Sequence, residues 1–197
     1  MITLPQPKFD GKISLELAIN ARTSIRSYTT EPINLGQLSQ VVWAAQGMSS
    51  QSQRHTVPSA GAIYPLELYV VSGNVQDLVA GIYHYLPREH CLKMMVSGDK
   101  RRELAAAALN QGSIKQGAAT LVISAIYERM AVRYGQRARR YVDMEVGHAG
   151  QNIYLQATAL RLGTVAIGAF HDELVQRILG LHQDEVPLYI MPIGNTI

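Results

Sequence analysis

A single cysteine, Cys91, stands in a chain of 197 residues. No intramolecular disulfide can form, and metal centres built on paired thiolates are excluded. His55, His84, His148 and His171 are widely spaced with no H-x-x-x-H pair, so no metal is expected. Charged residues make up only 17% of the chain against 47% hydrophobic, which excludes a disordered chain and leaves room for an extensive subunit interface. Pro/Ser-rich linkers, low-complexity runs and internal repeats are missing as well, so residues 1–197 are expected to form one domain. No stretch approaches the ~18 uninterrupted apolar residues of a membrane span, and MITLPQPKFDGK has no apolar segment before a small-residue cleavage site. The expectation is a cytoplasmic protein with no membrane partner. A net charge of +3 and a pI near 9.0 suit a phosphate-bearing ligand and argue only weakly for nucleic acid.

What is present reads as α+β. Residues 14–22 place Leu15, Ala18 and Ile19 on one helical face before a polar turn of Thr23, Ser24, Arg26 and Ser27. The next helix starts at Asn34, with Gln37 placed for a capping box, runs through Leu35, Leu38, Val41, Val42 and Ala45, and stops at Gly47. Residues 48–55 are polar and irregular, and TVPSAGAIYP is a shaped loop. ELYVVS reads as a buried strand, GIYHY and CLKMMV as a strand pair, and Asp99 as the cap of an Ala-rich helix to about Asn110. ATLVISAIY is a strand covered on both faces. Residues 128–162 form the longest helical stretch, interrupted at Gly135 and ending in a left-handed cap at Gly163, with both sides apolar enough to imply a central helix shared with a partner subunit. TVAIGA, DELVQRIL and PLYIMPIG close the chain as strand, helix and strand. The order implies helices packed on a central mixed, mostly antiparallel sheet.

Three segments carry features that a core does not require. Arg22-Thr23-Ser24-Ile25-Arg26 gathers two guanidinium groups and two hydroxyls just past a helix, a set that matches phosphate. Pro58-Ser59-Ala60-Gly61 and the residues up to Pro65 form a loop of small residues held by prolines, which lets backbone approach a flat ligand closely. Ile167-Gly168-Ala169 ends a strand just before a helix, where backbone N–H groups can address an acceptor. Taken singly, the first reads more readily as a solvated turn and the third as a plain strand-to-helix connection, while the second is equally compatible with a strand-entry loop that holds no ligand.

Together, RTSIRSY, WAAQG, TVPSAGAIYPLELYVV, GIYHY and EVGHAGQNIYLQATALRLGTVAIGAF resemble the SagB-type dehydrogenases of the nitroreductase-like flavoproteins, and the likeness spans nearly the whole chain. The resemblance implies an α+β homodimer with FMN at the subunit interface and a small-molecule substrate. NAD(P)H would be the electron donor, with no nucleic acid and no metal. On that footing Arg22, Thr23 and Ser24 hold the FMN phosphate and ribityl chain, and Arg26 sits near the pyrimidine end of the ring. Pro58, Ser59, Ala60 and Gly61 line the ring, and Gln151 and Asn152 belong to the interface helix. Ile167 leads to Gly168 and Ala169, whose amides face N5 and O4. Arg26, Arg133, Tyr134 and His55 are the candidates for contact with the chemistry.

Two departures from the family pattern follow. Gly194-Asn195-Thr196-Ile197 holds no Lys or Arg, so the second phosphate cation would be Arg137, Arg139 or Arg140. Where peptide-azoline oxidases of this branch carry Lys-Tyr, this chain has Arg133-Tyr134, and an arginine is no base near neutral pH. Azoline oxidation and non-catalytic flavin binding are the alternatives to small-molecule redox turnover. Arg129, Arg133, Arg137 and Arg140 would form a basic stripe on an unbroken helix. Its expected role is a solvated face paired with Glu128, Asp143 or Glu145; phosphate tracking on nucleic acid is the rival. No G-x-G-x-x-G is present, which fits donor and acceptor taking turns over one flavin face.

Overall fold

The computed structural model describes residues 1–49, 51 and 54–197. The irregular segment expected at 48–55 therefore falls partly on Ser50, Ser52 and Gln53, which lie outside the described residues. The strands are β1 (Ile2–Thr3), β2 (Leu66–Ser72), β3 (Gly81–Leu86), β4 (Cys91–Ser97), β5 (Ala119–Ile126), β6 (Leu162–Thr164) and β7 (Glu185–Asn195). The helices are α1 (Leu15–Ala21), α2 (Leu35–Gln46), α3 (Arg101–Ala107), α4 (Gly112–Gln116), α5 (Tyr127–Tyr134), α6 (Ala138–Ala159) and α7 (Asp172–Leu179).

The strands form one seven-stranded sheet in the order β1-β4-β3-β2-β5-β7-β6. Every ladder is antiparallel, and the parallel component that a mixed sheet allowed is reduced to one isolated bridge, Ile33 to Val75. The sheet has a core on each side. Leu66, Leu68 and Val70 of β2 face Leu38, Val41 and Val42 of α2 and Val142, Ala149 and Ile153 of α6. Tyr69 and Val71 pack with Leu104 of α3 and Val175 and Leu179 of α7 on the opposite side. With helices on both faces, β5 alternates Leu121 and Ile123 into one core and Val122 into the other, which is why its sequence is an unbroken apolar run.

The capping box of α2 forms as its sequence requires: Asn34 Oδ1 accepts from Gln37 N at 2.8 Å, and Gln37 Oε1 accepts from Asn34 N at 2.9 Å. The long helical stretch breaks at Gly135, whose φ of 52° and ψ of −129° are open to glycine and costly for other residues. The 22 residues of α6 then run about 33 Å across one face of the sheet.

Three elements differ from their expected form. Asp99 does not cap α3; its carboxylate accepts from Arg101 N at 3.1 Å and grips the Arg101 guanidinium at 2.7 Å, and the helix ends at Ala107 before the short α4. Gly163 is not the left-handed cap of α6. That conformation falls to Arg161, at φ 59°, and Gly163 lies in β6, where a Cβ would stand 2.7 Å from Ile25 Cγ2. Only Leu162–Thr164 of the next segment is a strand; Ile167 keeps a single bridge to Ile190, so the chain leaves the sheet and exposes Gly168 and Ala169.

Candidate functional site

The basic turn grows from the end of α1, whose start is capped by Ser14 Oγ accepting from Leu17 N at 3.2 Å. Arg22 closes the helix and lays its guanidinium over the Tyr154 ring, 5.1 Å from the centroid. Ser24 Oγ lies 2.9 Å from Tyr154 Oη, which also accepts from Ala166 N at 2.8 Å. One tyrosine on α6 thus ties the Arg22 turn to the segment ahead of Ile167. A direct backbone bond, Ile25 N to Thr164 O at 2.9 Å, adds to it. Ile167 is buried at 6% exposure with its backbone paired to Ile190. Gly168 and Ala169 are exposed, and their amides have no intramolecular acceptor among the described residues. Thr23 and Arg26, in the same turn as Arg22 and Ser24, are exposed. Arg26 bears electrostatically on Tyr28, whose hydroxyl burial, first, and Tyr154, second, push well above the usual phenol range. This group therefore offers hydroxyls and guanidinium groups tied through Tyr154 to Ala166, just ahead of the free amides of Gly168 and Ala169, the donor types that an anionic ligand needs.

A second group forms around the loop at 58–65. Ser59 Oγ accepts from Tyr64 N at 2.9 Å, and Ser59 O accepts from Ala62 N at 3.0 Å. Between them Gly61, Ala62 and Tyr64 hold φ of 62°, 56° and 55°. Left-handed conformations cost non-glycine residues roughly 1–2 kcal/mol each, so the surrounding packing must hold this turn in place. The structure brings Arg133 and Tyr134 of α5 to it: a Cβ on Gly61 would lie 2.7 Å from Tyr134 Oη and 3.0 Å from Arg133 Nη1. His55 joins the same loop, stacked on Tyr64 with ring centroids 4.1 Å apart and Nδ1 2.7 Å from Gln46 Oε1. Burial, then the Arg88 charge, push His55 below its ordinary value. Pro58 and Gly61 are exposed, while Ser59 and Ala60 are half-buried.

Each group is held together by its own contacts. Among the described residues no hydrogen bond, ion pair or ring contact joins the turn at 22–26 to the loop at 58–61. Gln151 belongs to neither; it stands exposed on α6, and its neighbour Asn152 donates to Ala44 O at 3.0 Å. Of the three arginines considered for a second phosphate contact, Arg139 lines a cavity of about 400 Å³ together with Gly168, Phe170 and Asp172. Arg137 and Arg140 are exposed.

The basic stripe does not form. Gly135 breaks the helix, Arg129 Nη1 is paired 2.6 Å from Glu67 Oε1, and Arg133 turns to Gly61 and the Tyr134 ring. Asp143, one of the acids expected to balance that face, accepts instead from Tyr127 Oη at 2.7 Å. Glu145, another, is buried with 2% of its surface exposed. Two residues escaped the sequence reading: Tyr154, the link between the Arg22 turn and Ala166, and Glu145 as part of the loop group. Their signal was a polar-tipped aromatic and a carboxylate flanked in sequence by Met144 and Val146, each of which needs a partner once buried.

The model of the Nitroreductase family matches residues 19–195. A Methanocaldococcus jannaschii protein named as a nitroreductase, MJ1384, is 45% identical over 189 residues, spanning 94% of this chain and 93% of its own length. The microcin B17-processing protein McbC of Escherichia coli is 30% identical over 152 residues, 74% of this chain and 56% of McbC. A Ralstonia eutropha crystal structure named as a nitroreductase superposes with a TM-score of 0.87 at 28% identity, over 100% of this chain and 89% of that one. The fold is also shared, at a TM-score of 0.78 and 23% identity, with a chain of the E. coli microcin synthetase McbBCD complex, over 100% of this chain and 79% of that one. The antiparallel sheet with helices on both faces, the long α6 and the match over residues 19–195 agree: the chain belongs to the nitroreductase family and is an oxidoreductase of that family.

Proposed function

We propose that residues 1–197 form one FMN-binding domain that passes reducing equivalents, in turn, from NAD(P)H to a small organic acceptor. Proteins of this family generally use a flavin, and the residues present fit FMN. The observation that carries the reading is the Tyr154-linked group, which sets Arg22 and Ser24 against a segment ending in two exposed, unengaged amides, Gly168 and Ala169. Arg22, Thr23 and Ser24 would grip the phosphate and ribityl chain. Gly168 and Ala169 would donate to the ring edge without adding a group that competes for the proton. Arg26, exposed and without an ion pair among the described residues, would stabilise negative charge that builds at the pyrimidine end on reduction. FMN, when bound, supplies the hydride-accepting and hydride-donating centre; the protein binds, orients and tunes it.

Among the described residues no hydrogen bond, ion pair or ring contact joins the loop group to the Arg22 group, which is the arrangement expected if two copies close each site. We read the protein as a homodimer with FMN at the interface and Gln151 on the shared helix. Exposed apolar residues at Leu15, Ile19 and Met144, at 61%, 55% and 55% exposure, support an extensive contact. The absence of a G-x-G-x-x-G motif suits a nicotinamide and an acceptor that alternate over one face.

The likeness to McbC, named for processing microcin B17, and the closeness of Arg133 and Tyr134 to Gly61 favour a second reading, an azoline-type oxidase acting on a peptide-derived substrate. Arg133 weakens it, because a guanidinium does not take up a proton near neutral pH. The test is the visible spectrum of the purified protein, followed by anaerobic addition of NADH or NADPH and then of a nitroaromatic or quinone. Flavin bands that bleach and return support the proposal. Bands that no nicotinamide bleaches favour the second reading, and protein that neither carries nor takes up FMN overturns both.

A further inference from the structure

Glu145 sits on the core-facing side of α6 between Val142 and Ala149, and only 2% of its surface is exposed. Among the described residues neither carboxylate oxygen has a hydrogen-bond partner of ordinary geometry, and the group that eases its charge is the Ser59 hydroxyl. That hydroxyl is already the acceptor for Tyr64 N at 2.9 Å, the bond that closes the turn containing Gly61, Ala62 and Tyr64 at positive φ. A carboxyl left unpartnered in a core is costly when charged and tolerable when neutral. Here burial pushes it up to about 7.

Among the described residues no charged neighbour changes that balance. α2 and β6 carry no ionisable side chain. On α5, Arg133 and Tyr134 turn to Gly61. On β7, Tyr189 packs on Gly150, and on β2, Glu67 is paired with Arg129 and His84. In the loop, His55 stacks on Tyr64. None of these contributes to the Glu145 shift, whose causes are burial and Ser59.

We propose that Glu145 is a positioning residue for the loop at 58–65, acting through Ser59: the neutral acid keeps the loop closed, and the carboxylate draws water past Ser59 and opens it. Charging an unpartnered buried carboxyl requires hydration, and the turn that Ser59 closes holds three residues at positive φ whose conformational cost its opening would release. Because this loop is read above as lining the flavin, FMN affinity would be tied to the protonation of Glu145; that link rests on the proposed function, while the loop switch itself does not.

The experiment follows two signals from about pH 6 to about pH 8.5 in the wild type, Glu145→Gln and Ser59→Ala. One is FMN affinity, from quenching of free FMN fluorescence. The other is hydrogen exchange of the peptide covering residues 58–65, corrected for the intrinsic pH dependence of exchange. In the wild type, FMN affinity is expected to fall about fivefold or more through neutral pH, together with protection of the loop. Glu145→Gln should flatten both curves, and Ser59→Ala should loosen the loop at every pH. If FMN binds and Glu145→Gln follows the wild-type curves, the inference is overturned and the flavin reading stands. If FMN does not bind, the flavin reading is overturned, and the exchange curve alone decides: a step in the wild type that Glu145→Gln removes upholds the switch, and a flat wild-type curve refutes it.

Discussion

Replacing Glu145 by Gln gives the most quantitative test of the packing described above. The carboxyl rises from 4.5 to about 7 on folding, with burial as the first cause and the Ser59 hydroxyl opposing it. Between those values the folded protein holds a proton that the unfolded chain has released. The stability contributed by this group is therefore full below pH 4.5 and falls as pH rises, levelling off above about 7. At about 1.4 kcal/mol per pH unit, the loss reaches about 3 kcal/mol. Glutamine has nearly the same shape and does not ionise, so the variant escapes this loss. Urea unfolding of both proteins at about pH 5 and about pH 8, at one fixed protein concentration, measures it. Part of that loss has already occurred at about pH 5, so relative to the wild type Glu145→Gln should gain about 2.5 kcal/mol between the two pH values. The difference of differences removes the titration of every other group. A stability gap that is the same at both pH values, within about 0.5 kcal/mol, would refute the claim that Glu145 is buried without a partner.

Three further outcomes are expected. Tyr154→Phe removes the hydroxyl shared by Ser24 and Ala166 and should cost about 1–3 kcal/mol; chemical denaturation checks this, and FMN titration should show weaker binding. Arg26→Ala should lower the flavin reduction potential: one charge at ~4 Å is worth between about 1 kcal/mol in water and about 4 kcal/mol at an effective dielectric of ~20, and this exposed residue belongs at the lower end. A dye-coupled redox titration reads the change, and an unaltered potential would remove Arg26 from the site. Gly61→Ala places a methyl group 2.7 Å from Tyr134 Oη at a φ of 62°, so unfolding should show a loss of at least about 1 kcal/mol, with hydrogen exchange rising in the loop.

Much of the architecture follows from local rules. Asn34 and Gln37 specify the start of α2 because both halves of a capping box lie within one turn of chain. Gly135 marks the break before α6 because its backbone conformation is nearly closed to other residues. The apolar run of β5 announces a strand covered on both faces. The three segments proposed to face the flavin are legible for the same reason, since small residues, prolines and clustered guanidinium groups declare themselves at short range. Gly163 shows where such reading stops: a glycine after a helix suggests a cap, yet the need for it comes from Ile25, far away in the chain and 2.7 Å away in space.

Which polar groups meet is settled only by packing. Ser24 and Tyr154 are separated by 130 residues, and no periodicity within α6 identifies the tyrosine that joins the basic turn to Ala166. Arg129 and Arg133 look equivalent in sequence, but the fold pairs one with Glu67 and turns the other to Gly61. Glu145 reads as one more surface carboxylate until α6 packs, leaving it 2% exposed with its carboxyl raised by burial. Residue order is enough to set the elements and the kinds of ligand chemistry, because those depend on neighbours along the chain. The fold sets which side chains bind, which merely support, and which carry a proton at neutral pH, because burial and long-range contact exist only once the sheet and α6 have packed.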